Sequence, residues 1–231
     1  LLGKRSGTDL STKIQRRKAS LYAEVPITFI PVSNWLAAQC RKSSLMRTAK
    51  IEVIPNALPI ESFATNPIVS RHEIGLPEKG DLIIFAAARI DDPIKNLPLA
   101  IATLNKLHDT HFNGTDRSPV AVFCGTIKDT TSLDGLRLPY VHMGTVDPSM
   151  MAQIFAHATV VLSTSVRETL PGTLIEGMAA GAVPVTTGYG GQADIIDHGT
   201  DGYISNDDNP ETLATFVSLA ISSPFPRKQQ H

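Results

Sequence analysis

The feature that most narrows the possible folds is a series of short apolar runs with almost no polar residue inside them. LIIFAAAR (82–89), VAVFCG (120–125), TVVLST (159–164) and VPVTT (183–187) are the clearest, with YVHMG (140–144) and GYIS (202–205) beside them. A strand with one wet face alternates apolar and polar side chains. Runs that stay apolar throughout suit strands buried on both faces, as in a parallel sheet covered by helices. Helical spacing fills the intervals. Helices are predicted near 97–108, with Leu97, Ile101 and Leu104 on one face, near 148–157, from the Pro-Gly pair at 171–172, briefly at ADIID, and from about Pro210. Asn96 can cap the first, and Asp147-Pro148 and Asn209-Pro210 each set a cap residue before a proline suited to the first helical turn. Residues from about 80 to 222 therefore predict an α/β domain with a doubly wound parallel sheet, Rossmann-like in layout.

The first part of the chain fits less neatly. ITFIPVS (27–33), a helical NWLAAQCRKSSLM and IEVIPN (51–56) supply two strands and a helix, followed by a linker rich in Pro, Glu and Ser. The predicted division is residues 1–58 and residues 59–231. A net charge of −1 over 231 residues gives no global pull toward nucleic acid or membrane. No apolar run approaches the roughly 20 residues of a membrane helix. The start lacks both a Met and a signal-peptide core, so a fragment of a longer chain is expected. Two cysteines far apart, Cys40 and Cys124, suit a reduced cytosolic protein better than a disulfide framework. Residues 1–20 set six cations against Asp9 alone. A solvated helical segment is the plainer explanation, and an anionic membrane surface or partner the alternative.

In an open parallel sheet, ligands bind at the carboxyl ends of the strands. Arg89 and Lys95 follow LIIFAAA, Gly144 ends YVHMG, and Arg167 and Glu168 follow TVVLST. GYGGQ, with Gly190 and Gly191, follows VPVTT. Pro171 suits a first helical turn, so Gly172, Thr173 and Leu174 would offer free N–H groups to a phosphate. Glu168 lies before that helix, and Glu176 lies roughly 7.5 Å along it from Pro171. The two acids suit the two sides of a phosphorylated ligand better than one shared atom. Ordinary explanations compete: an Arg89 ion pair with Asp91 or Asp92, a solvated Lys95, a simple turn at GYGG, a Glu176 favoured only by the helix dipole. His142, at a strand end, reads as a core or rim histidine. No Asp-x-Asp or Cys/His cluster predicts a metal. No Gly-x-Gly-x-x-Gly or Walker loop predicts a nicotinamide or P-loop enzyme.

Four segments in this order and spacing resemble the large retaining glycosyltransferase family 4, which has the GT-B fold. They are VSNWLAAQCRKSSL, IEVIPNALPIESF, FAAARIDDPIKNLPLAIATLNKL and RETLPGTLIEGMAAGAVPVTTGYGGQADIIDHGTDGYI. The resemblance implies that residues 59–231 are the C-terminal donor-binding domain and residues 1–58 the end of an N-terminal acceptor domain. It implies that Arg89 and Lys95 contact the donor diphosphate, and that Glu168 lies near the transferred sugar. Gly172, Thr173 and Leu174 would then give backbone donors to phosphate and sugar, Glu176 would bind the ribose hydroxyls, and Met143, Gly144 and Val146 would lie near the base. Gly190 and Gly191 match the family's glycine turn. Gly177 stands where the family usually has Ala, and Asp194 where it often has Glu.

The resemblance further implies transfer of a sugar from a nucleotide-diphospho-sugar to a glycan or lipid-linked acceptor, with retention and without a metal or other cofactor. A cytoplasmic enzyme of polysaccharide assembly is the expectation, with the inner face of the membrane as a further place of contact. This span would bind the donor and be inactive alone. A sugar-nucleotide epimerase and a non-catalytic nucleotide-sugar-binding module are the rivals.

Overall fold

The computed structural model describes residues 10–64, 67–112 and 119–222. They fall into two compact units, Leu1–Asn56 and Ala57–His231. In the first unit, α1 (Ser11–Glu24) has no buried residue. Two parallel strands, β1 (Thr28–Phe29) and β2 (Lys50–Ile51), flank α2 (Asn34–Lys42) in sequence. Ser33 caps α2 by accepting the Leu36 N–H at 3.2 Å. The two expected strands are present, but each pairs over only two residues. Lys4, Arg5 and Asp9 of the basic stretch lie outside the described residues.

The second unit is built on six parallel strands: β3 (Leu82–Arg89), β4 (Val120–Thr126), β5 (Tyr140–Gly144), β6 (Val160–Ser163), β7 (Val183–Thr187) and β8 (Tyr203–Ser205). Their spatial order is β5-β4-β3-β6-β7-β8. The helices are α3 (Leu97–Leu107), α4 (Pro148–Ala156), α5 (Gly172–Ala179) and α6 (Pro210–Ser222). Alternate strand residues feed two separate cores. Ile83, Phe85, Phe123, Leu162 and Val185 pack with Leu104 of α3 and Val217 of α6. Leu82, Ile84, Val122 and Val161 pack with Phe155 of α4 and Leu174 of α5. Both faces are dry, which is why the strands read as unbroken apolar runs.

Local signals account for several helix starts and misplace others. Asp147 caps α4 through Met150 N–H at 2.9 Å, and Asn209 accepts from Glu211 N–H at 2.9 Å. Asn96 does not cap α3 with its side chain. It takes left-handed backbone, φ 52° and ψ 49°, and is the single non-glycine residue with positive φ among those described. The expected ADIID helix is a single 3-10 turn shifted earlier, to Gly191–Asp194. Gly177 has a steric reason. A Cβ there would lie 2.8 Å from Val161 Cγ1, so the missing methyl lets α5 lie close on β6.

Candidate functional site

The chain steps from β3 to β4 to β5 in one direction across the sheet, then β6 returns to the other side of β3. The loops leaving β3 and β6 therefore diverge at their carboxyl ends, where such sheets open a ligand crevice. The two loops are tied together here. Val166 N–H donates to the Ile94 carbonyl at 2.9 Å, and the buried Thr164 hydroxyl lies 2.9 Å from the Lys95 carbonyl. This brings Lys95 Nζ to 2.5 Å from Glu168 Oε1. The pair is partly exposed, with 29% and 19% of the two side chains open to solvent.

Glu168 is also fixed by its backbone. Its N–H donates to the Tyr189 carbonyl, and its carbonyl accepts from Gly191 N–H at 3.0 Å. Glu168 and Gly190 form a one-residue parallel bridge. A Cβ on Gly190 would lie 1.9 Å from the Glu168 carbonyl oxygen, so only glycine permits this approach. Behind the bridge, Gln192 is fully buried, and both atoms of its amide lack a partner among the described residues.

Three residues after Glu168, Pro171 is the N-cap of α5 and has no side-chain group to cap it. Gly172 and Thr173 N–H groups have no acceptor among the described residues. Unpaired amides at a helix start favour an anion. One turn on, Glu176 folds back toward them: a Cβ on Gly172 would sit 4.0 Å from Glu176 Oε1. Burial pushes the Glu176 carboxyl above the ordinary glutamate range. No described residue provides it with a hydrogen bond or ion pair.

A family model for glycosyl transferases group 1 matches residues 81–222, the whole of the six-stranded unit's sheet and its four helices. The chain belongs to this family. An uncharacterized glycosyltransferase of Methanocaldococcus jannaschii, MJ1607, is 26% identical over 184 residues, covering 75% of this chain and 45% of that one. Anabaena HepE, solved with UDP and glucose, matches with a TM-score of 0.69 at 18% identity, over 94% of this chain and 60% of that one. Sucrose-phosphate synthase of Thermosynechococcus elongatus matches with a TM-score of 0.73 at 18% identity, over 96% and 55%. At such identities the structural likeness is one of fold, and it is the GT-B fold. This chain spans about half the length of the curated relative and 55–60% of those two structures.

In this member of the family, several residues singled out from sequence come together and others do not. Lys95, Glu168, Gly190 and Gly191 form one cluster, and Gly172, Thr173 and Glu176 form the helix start beside it in sequence. Of the three N–H groups expected to be free, that of Leu174 is taken. Pro171 sits at the cap rather than inside the helix, so Leu174 N–H donates to its carbonyl at 3.2 Å. Gly191 N–H is held by Glu168. Arg89 is engaged by its own loop, 2.7 Å from Asp92 and 3.4 Å from Asp91, the ion pairing that competes with a ligand role. Met143 and Val146 pack against the core below α4 and α5, and Gly144 ends β5 at the sheet edge with φ 65°. His142 is a rim histidine, its Nε2 2.9 Å from the Gly125 carbonyl. The carbonyl can only accept, so Nε2 carries the proton. Sequence reasoning missed Thr164 and Gln192. Thr164 has no spacing that announces it, because it matters through contacts with the distant Lys95 and Asn96 backbone, and Gln192 stands out only as a buried amide without a partner among the described residues.

Proposed function

We propose that the chain binds a nucleotide-diphospho-sugar at the β3–β6 crevice and supplies the donor half of a retaining glycosyl transfer, as in glycosyltransferase family 4. The observation that carries this reading is the uncapped start of α5, with two unpaired N–H groups and the unpartnered Glu176 turned toward them. A diphosphate and a ribose present the matching chemistry, anionic oxygens for the amides and hydroxyl donors for the carboxylate. HepE, crystallised with UDP and glucose, is a structural neighbour that binds such a molecule.

In the reaction the bond from the anomeric carbon to the diphosphate breaks while the acceptor hydroxyl oxygen bonds that carbon and gives up its proton to the departing diphosphate or to solvent. Negative charge grows on the departing phosphate. Lys95, Arg89 once freed from Asp92, and the amides of Gly172 and Thr173 are the groups assigned to meet it. Fixed donors of this kind stabilise developing charge without reorganising. Glu168 is assigned to the sugar, with its direction set by Lys95 and by the Gly190 bridge. Leu174 anchors the helix turn, and Gly191 the Glu168 backbone, rather than donating to the ligand. Met143, Gly144 and Val146 are assigned to the base side.

Retention, the absence of a metal from the reaction, a glycan or lipid-linked acceptor, and work at the cytoplasmic membrane face all rest on the resemblance of the four segments. Among the described residues, no helix is long and apolar enough to cross a membrane. Calorimetric titration of UDP, GDP and ADP into this chain tests the reading and chooses the base together. One nucleotide is expected to bind, and more weakly when Glu176 is changed. Failure of all three to bind would overturn the assignment.

A further inference from the structure

Lys95 stands on a turn with little of its own to hold it. Pro93–Lys95 is a single 3-10 turn, started by Asp92 accepting the Ile94 N–H at 3.0 Å. The turn passes into α3 through Asn96, in left-handed backbone that costs any residue with a side chain. Asparagine tolerates that conformation, but nothing in it selects the direction of the lysine before it. The main chain at this point is gripped from the neighbouring strand. The Thr164 hydroxyl lies 2.9 Å from the Lys95 carbonyl and 3.0 Å from the Asn96 carbonyl. The Asn96 carbonyl also accepts the Leu99 and Ala100 N–H groups of α3. The Lys95 carbonyl has Thr164 alone among the described residues. Thr164 is fully buried, so water cannot replace it there. Four residues later the same segment presents the Glu168 carboxylate to the lysine's other end.

We propose that Thr164 is a positioning residue for Lys95: by holding the Lys95 and Asn96 carbonyls, its hydroxyl fixes the turn from which the ammonium group reaches Glu168 and the donor diphosphate. The proposal rests on the diphosphate reading of this crevice. A buried threonine serving only its own hydrogen-bonding need would stabilise the fold without acting through the lysine, and the two roles separate in a double-mutant cycle.

The measurement is the dissociation constant of whichever of UDP, GDP and ADP binds the chain, taken for wild type, Thr164→Val, Thr164→Ser, Lys95→Ala and the Val/Ala double variant. Near-UV circular dichroism reports folding in each. Thr164→Val is expected to weaken binding about threefold to tenfold, the scale of one neutral hydrogen bond. Thr164→Ser is expected to restore it, and Thr164→Val to add nothing once Lys95 is Ala. If Thr164→Val prevents folding, Thr164→Ala removes the hydroxyl with less crowding and takes its place in the cycle. An unchanged constant in the folded hydroxyl-free variant, or an equal loss with and without Lys95, overturns the positioning role. An unchanged constant in Lys95→Ala alone overturns the diphosphate reading itself, and the positioning role with it.

Discussion

Glu176 is a partly buried carboxyl with no hydrogen bond or ion pair among the described residues. Burial raises its pKa, and no described partner offsets that. A carboxyl whose pKa is higher in the fold than in the unfolded chain takes stability away as pH rises through that value. Glu176→Gln should therefore raise the melting temperature of the unliganded chain at neutral pH. The gain should fade as pH falls below the unfolded carboxyl pKa, where the wild-type group is already neutral in both states. The same substitution should weaken nucleotide binding by about tenfold or more, because hydrogen bonds to a charged acceptor are worth roughly 1.5–3 kcal/mol. Melting curves across pH, paired with titrations, check both signs. A loss of both stability and binding would mark Glu176 as structural. Arg89 offers a second test at this scale. Asp92 holds its guanidinium at 2.7 Å with one oxygen and starts the 3-10 turn with the other. Asp92→Asn keeps an acceptor for the turn and removes the competing charge. Diphosphate binding should then tighten by up to about fivefold, the range of a partly exposed ion pair. Weaker binding in that variant would count against a phosphate role for Arg89.

Among the elements, α5 shows how packing overrides local preference. Alanine in place of Gly177 favours the helix by about 1 kcal/mol in isolation. The close approach to Val161 Cγ1 sets against this an overpacking cost of typically 1–3 kcal/mol. Val161 is β-branched and fully surrounded by core, so it has little room to turn aside. Gly177→Ala is expected to lower the melting temperature, and a rise would show that helix and strand can separate at small cost. The sheet itself was plainly legible in the sequence, because burial on both faces leaves an uninterrupted apolar run that few other structures produce. The crevice was legible in outline, since Arg89, Lys95, Glu168 and the glycines all follow strand ends. What each group does with its neighbours was not. That Leu174 N–H is spent on Pro171, that Gly191 N–H is spent on Glu168, and that Lys95 meets Glu168 depend on distances between segments more than 20 residues apart or on the register of one helical turn. The two-residue length of β1 and β2 was equally hidden, because ITFIPVS and IEVIPN carry the same β-branched character as the long strands.

At the scale of the whole chain, stability is concentrated in one unit. The six-stranded unit has a hydrophobic core on each face of its sheet. In the other unit, only Pro31, Ser33 and Ala37 are buried among the described residues. Hydrophobic stabilisation scales with the apolar area removed from water, so the first unit has little of its own to hold α1 and the β1–β2 pair together. Amide exchange should follow this division. The slowest amides are expected in β3, β4 and β6, which are flanked by strands on both sides and lie under helices. Residues 28–51 should exchange much faster, through local opening that leaves the sheet intact. Removing residues 1–56 should leave a cooperative thermal transition within about 4 °C of the original, which for a domain of this size corresponds to roughly 1–2 kcal/mol. Nucleotide affinity should survive the truncation too, since every residue assigned to the donor follows Asn56. Loss of the cooperative transition would show that the first unit is part of the same folding unit. Loss of affinity with the transition intact would place part of the nucleotide site in residues 1–56.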